Sequence, residues 1–224
     1  MSVQKLSYGV CRAFVQRLSH FLALLLCAAL WASAAPAAPP APKLVLMLGD
    51  SLTAGYGLPA GQSVPAQLEA LLKARGHAVR VHNGGVSGDT SAQGRARLGW
   101  LLKSLERTPD VVIVALGAND MLRGLPPQEA EKNLAAILQE LQKRKIKTIV
   151  SGMVAAPNLG PAYAKAFNPI YPRLAKRYGA ALDPFYMQGV AANPRYLLAD
   201  QMHPNAKGAE KIAKRLAPLV AKYL

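Results

Sequence analysis

From Lys43 to the C-terminus, short apolar runs alternate with longer stretches whose apolar positions recur at helical spacing. The short runs predict five strands, at 43–48, 79–83, 111–116, 146–151 and 180–183. The clearest is the β-branched stretch that begins at Val111. Helical spacing over 64–75 places Val64, Leu68, Leu71 and Leu72 on one face, with Gly76 as the stop. Further helices are expected over 95–105, 128–143 and 163–178, the last broken near Pro169 and Pro172. A closing helix over 205–216 turns Ala209, Ile212, Ala213 and Leu216 inward. Strands alternating with helices imply a parallel sheet covered on both faces. Right-handed crossovers then give an α/β fold, a three-layer α/β/α sandwich of about five strands in flavodoxin-like order.

The first 42 residues follow another pattern. Lys5, Arg12 and Arg17 precede an apolar run from Phe21 to Trp31, and Ala32-Ser33-Ala34 is a small-residue cleavage site. This pattern predicts a signal peptide over 1–34 and a periplasmic or secreted product, with a Pro/Ala-rich tether over 35–42 and one domain over 43–224. Cleavage removes Cys11 and Cys27, the only two cysteines, so the exported domain has no disulfide and no thiolate chemistry. It also removes three basic residues and no acidic ones, which lowers the formal charge from +15 to +12. The basic character therefore belongs to the domain. Its lysine and arginine clusters read as solvated faces: no nucleic acid is expected as partner, and at most peripheral membrane contact. Oligomeric state is left open.

In an open α/β sheet, ligands bind beyond the carboxyl ends of the strands. Three of the predicted ends run into polar, glycine-rich loops, at 49–57, at 83–91 and at Gly117-Ala118-Asn119-Asp120. Near the C-terminus stands Asp200-Gln201-Met202-His203-Pro204. Pro204 suits the first position of a helix and would hold His203 at its start. Asp200 can curl back to the imidazole Nδ1, which makes Ser51, His203 and Asp200 candidates for nucleophile, base and orienting acid. Oxyanion donors are available from the Ser51 and Gly88 backbone N–H groups and the Asn119 amide. Asp50 and Asp120 are expected to shape their loops rather than react. The glycines at 49–57 lack the Gly-Lys-Ser/Thr ending of a phosphate loop, and neither cofactor nor metal is expected.

In these blocks, Gly49-Asp50-Ser51-Leu52, Ser87-Gly88-Asp89, Gly117-Ala118-Asn119-Asp120 and Asp200-x-x-His203-Pro204, the domain resembles the SGNH (GDSL) hydrolases. Within them it is similar to the periplasmic multifunctional acyl-thioesterase, lysophospholipase and arylesterase group. The resemblance implies hydrolysis of acyl esters and thioesters through an acyl-enzyme, without metal or cofactor. Met121, Leu122 and Leu125, apolar side chains on the loop just after Asn119, are candidate substrate contacts for an acyl chain, unless Leu122 and Leu125 merely pack the loop onto the following helix; the resemblance adds that the matching loop moves over bound acyl chains. Two other readings are a carbohydrate or cell-wall O-acetylesterase and a non-catalytic lipid-binding module.

Overall fold

A computed structural model describes residues 14–23 and 41–224. The chain divides into two units, 1–40 and 41–224. In the first, residues 14–23 are helical. The rest of the expected signal peptide, its cleavage site and most of the tether lie outside the described residues. Among those described, no helix is long and apolar enough to cross a membrane.

The second unit contains β1 (Lys43–Gly49), α1 (Ser51–Ala54), α2 (Val64–Ala74), β2 (Val79–Gly85) and α3 (Ser91–Ser104). It continues with β3 (Val111–Ala115), α4 (Ala118–Leu122), α5 (Pro127–Lys143) and β4 (Lys147–Ser151). Then come α6 (Gly160–Phe167), α7 (Ile170–Tyr178), β5 (Ala181–Asp183) and α8 (Ala206–Ala221). The strands form one sheet in the order β2-β1-β3-β4-β5, with every pairing parallel. This is the three-layer, flavodoxin-like arrangement the alternation predicts. Helix α2 packs against α8, while α3 packs against α5 and α5 against α7. Strands β1 and β3 are flanked on both sides and covered on both faces, so Val45 to Leu48 and Val111 to Ala115 are all buried. Edge strand β2 instead alternates, with Arg80 and His82 exposed next to the buried Val79 and Val81.

Several element ends differ from expectation for local reasons. Helix α3 starts at Ser91 rather than 95, because Thr90 and Gln93 form a reciprocal capping box. The predicted 163–178 helix is two, α6 and α7, parted at Asn168-Pro169. Pro172 is accommodated in the first turn of α7, where a backbone N–H has no helical acceptor to lose. Helix α8 runs on through Pro218 to Ala221. Its start also departs from expectation. Pro204 is not the first helical residue; it pairs with Leu197 in an isolated antiparallel bridge. Asn205 caps the helix instead, its Oδ1 accepting the Gly208 N–H at 3.0 Å. A good capping side chain one residue later outcompetes the proline signal.

Candidate active site

The parallel sheet brings the ends of β1, β2 and β3 to one edge, and the loop before α8 meets them there. Asp50, fully buried after β1, accepts the Leu52 N–H at 3.0 Å and caps α1, whose first residue is Ser51. Ser51 Oγ lies 2.9 Å from His203 Nε2, and His203 Nδ1 lies 2.7 Å from Asp200 Oδ2. The second Asp200 oxygen accepts the Met202 and His203 N–H groups at 2.9 and 3.0 Å. Those two amides, then the imidazole, pull the Asp200 carboxyl down to about 2. An ionised carboxylate only accepts, so Nδ1 carries the imidazole proton and Nε2 is left to accept from the Ser51 hydroxyl. Ser51 thus joins His203, 152 residues away, and its neighbour Asp200 in one directional hydrogen-bonded chain.

The loops around Ser51 are braced from below and above. Arg97 on α3 donates from Nε to Asp89 Oδ2 at 2.6 Å. Its Nη2 reaches the Gly49 and Gly84 carbonyls at 2.9 and 2.7 Å, so one guanidinium ties the ends of β1 and β2 to the loop that bears Gly88. From above, Arg123 donates to the Gly88 carbonyl at 2.7 Å and the Asn119 amide to the Asp89 carbonyl at 3.0 Å. Gly88 has φ +85°, a conformation a side chain would strain. Asp120 accepts from the Ser91 N–H at 2.7 Å and the Ser91 hydroxyl at 2.5 Å, locking the third loop to the start of α3. Asp50 and Asp120 therefore shape their loops, as expected. Among the described residues Asp50 has no salt-bridge partner, and burial pushes its carboxyl up to about 7, with Asp89 and Asp120 adding to the rise.

Beside Ser51 opens a cavity of about 620 Å³ whose wall includes Met121, Leu122, Met153, Val154, Phe185 and Met187. Gly88, Asn119 and His203 also line it. Of the three apolar residues expected to contact substrate, Met121 and Leu122 lie on this wall and Leu125 does not. Leu125 is tied by its backbone instead: its N–H donates to the Asp120 carbonyl, and its carbonyl accepts the Tyr163 hydroxyl at 2.9 Å. Met153, Phe185 and Met187 follow β4 and β5, strand ends that no polar motif marks in the sequence. Arg97, Arg123 and Tyr56, whose ring lies 4.5 Å from the His203 imidazole, stand outside the residues that carry the motifs, because their partners lie elsewhere in the sequence. Among the described residues, no three of histidine, cysteine, aspartate and glutamate gather as a metal site requires.

Residues 47–211 match the profile of the GDSL-like Lipase/Acylhydrolase family. The chain belongs to this family. It is 38% identical to an arylesterase of Vibrio mimicus, over 84% of this chain and 93% of that protein. It is 41% identical to the thioesterase 1/protease 1/lysophospholipase L1 of Escherichia coli K12, over 79% of this chain and 84% of that protein. The crystal structure of AlinE4, an SGNH-hydrolase family esterase, superposes with a TM-score of 0.71 at 46% identity, covering 84% of this chain and 99% of AlinE4. By class, this GDSL hydrolase is a serine esterase.

Proposed function

We propose that the GDSL hydrolase cleaves medium- and long-chain acyl esters and thioesters, including single-chain lipids, with Ser51 as nucleophile. His203 takes the Ser51 proton as Oγ bonds to the carbonyl carbon, and the carbonyl electron pair moves onto oxygen. The Ser51 and Gly88 N–H groups and the Asn119 amide receive that oxyanion; the amide spends one of its two N–H groups on Asp89. His203 then returns the proton to the departing alcohol or thiol, and water attacks the acyl-enzyme by the same route. Asp200 holds the tautomer and stabilises the imidazolium. The observation that carries this reading is the continuous chain Ser51–His203–Asp200 at 2.9 and 2.7 Å, opening on an apolar cavity.

The cavity favours an acyl chain over an acetylated sugar. An acetyl group would leave most of about 620 Å³ empty, and the wall offers a sugar little to bond. Met121, Met153, Met187 and Met202 all line it, and their unbranched thioethers adapt to chains of different length. Leu122 and Val154 remain 48% and 42% exposed on this wall, apolar surface that an acyl chain would cover. We further propose export: the basic, apolar and small-residue segments of 1–34 would be removed before the domain works outside the cytoplasm.

A panel of p-nitrophenyl esters from two to sixteen carbons, a lysophospholipid, an acyl-thioester and an acetylated sugar tests the substrate assignment. Each methylene buried in the cavity is worth up to ~0.8 kcal/mol, so kcat/KM is expected to rise over several carbons before levelling. Preference for acetyl throughout would move the O-acetylesterase reading ahead.

A further inference from the structure

The general base sits on an exposed loop, and something other than its own loop must keep the imidazole aimed at Ser51. Asp200 is 37% exposed at its side chain, and Gln201 beside it has φ 57°, a left-handed turn made without glycine. The His203 side chain is nevertheless only 15% exposed. One covering group is Tyr56. Its ring centroid lies 4.5 Å from that of the imidazole, with the planes tilted by 37°. Tyr56 is itself 54% exposed, so this contact is not a by-product of core packing. Its position is tied to the nucleophile, because the Tyr56 N–H donates to the Ser51 carbonyl at 3.2 Å. The same turn comes close to the base loop a second time: a Cβ on Gly57 would fall 2.7 Å from the tip of the Leu198 side chain, Cδ1.

We propose that Tyr56 is a positioning residue for His203. Its ring holds the imidazole in line with Ser51, and its π-face favours the imidazolium that forms as the Ser51 proton is transferred. The proposal rests on the assignment of Ser51 and His203 above and extends it to a residue outside the triad. The imidazole's hydrogen bonds are to the Asp200 carboxylate at Nδ1 and the Ser51 hydroxyl at Nε2. Among the described residues, no lysine, arginine or second carboxylate pairs with it. The ring makes the contact, so phenylalanine should replace tyrosine and an aliphatic side chain should not. Tyr56 also lines the acyl cavity, which creates the rival role of a mere wall. The two roles separate on a substrate too short to need the wall.

The test measures hydrolysis of p-nitrophenyl acetate and p-nitrophenyl palmitate, and the second-order rate of fluorophosphonate labelling, for wild type, Tyr56→Phe and Tyr56→Leu, across pH. For Tyr56→Leu, kcat on acetate and the labelling rate are expected to fall about three- to tenfold with KM little changed. The acid limb of kcat/KM should move to lower pH, since an imidazolium without its aromatic face loses its proton more readily. Tyr56→Phe should restore both. If Tyr56→Leu is poorly folded by its thermal melt, Tyr56→Met makes the same comparison. The proposal is overturned if the aliphatic variants lose activity only on long chains with the acid limb unmoved, if Phe is as damaged as Leu, or if no rate changes. Turnover retained by Ser51→Ala would instead overturn the assignment beneath it, whatever the Tyr56 variants do.

Discussion

As the proposed nucleophile, Ser51 needs somewhere for its proton to go, and His203 Nε2 lies 2.9 Å from its Oγ. Because the triad acts as a unit, Ser51→Ala and His203→Ala should each lower kcat by several orders of magnitude, with the double variant scarcely worse. Asn119 should behave differently. Its amide matters most when charge has developed on the carbonyl oxygen, so Asn119→Ala should lower kcat by about 10²–10³ while KM holds. A raised KM with kcat intact would make it a binding residue. Asp50 calls for a measurement of stability rather than rate. Its folded-state carboxyl titrates at about 7, against 3.8 ordinarily, so between those values the folded chain keeps a proton that the unfolded chain releases. Stability from this group therefore falls as pH rises from about 4 to 7, and the loss is complete above 7. Asp50→Asn keeps the α1 cap and removes the titration. The melting temperature of the variant relative to wild type should rise between pH 5 and pH 8; a difference independent of pH would contradict the assignment.

At the scale of elements, the site depends on how far each loop is fixed by the strand or helix beneath it. Arg97 satisfies acceptors on three segments at once, and lysine has no planar fork with which to do so. Arg97→Lys should destabilise the fold by about 1–3 kcal/mol in urea titrations, because Asp89 stays buried without its partner, and kcat should fall as the Gly88 loop loosens. Along the cavity wall, Leu122→Ala should flatten the rise of kcat/KM with chain length and spare acetyl esters, whereas Leu125→Ala, off the wall, should leave the rise intact. These elements also mark how far the sequence could be read. Five strands and their parallel order were legible because runs buried on both faces are apolar throughout, as in β1 and β3. The residues of the proposed triad could be picked out because each sits in a short contiguous motif, and the structure places the three within hydrogen-bonding distance. Arg97, Tyr56, Met153, Phe185 and Met187 could not, since each gains its role only when register and packing carry it to a distant partner. Pro204 and Leu125 were misread for a related reason: local preference favoured one placement, and Asn205 capping and the Tyr163 hydroxyl settled another.

For the molecule as a whole, the proposed chemistry lies at one edge of the sheet, and the apolar cavity beside it is the proposed source of selectivity. Export, if the leader is used as proposed, would show as a periplasmic protein whose N-terminus begins at about Ala35; recovery of Met1 on a soluble cytoplasmic product would refute it. Ser51 is the residue on which the proposed chemistry depends. The most direct measurement is incubation of the full chain with a fluorophosphonate probe, followed by intact mass and peptide mapping. One adduct per chain is predicted, on the peptide that contains Ser51, lost in Ser51→Ala together with ester turnover. No adduct on wild type, an adduct on another residue, or ester hydrolysis surviving in Ser51→Ala would contradict the central claim.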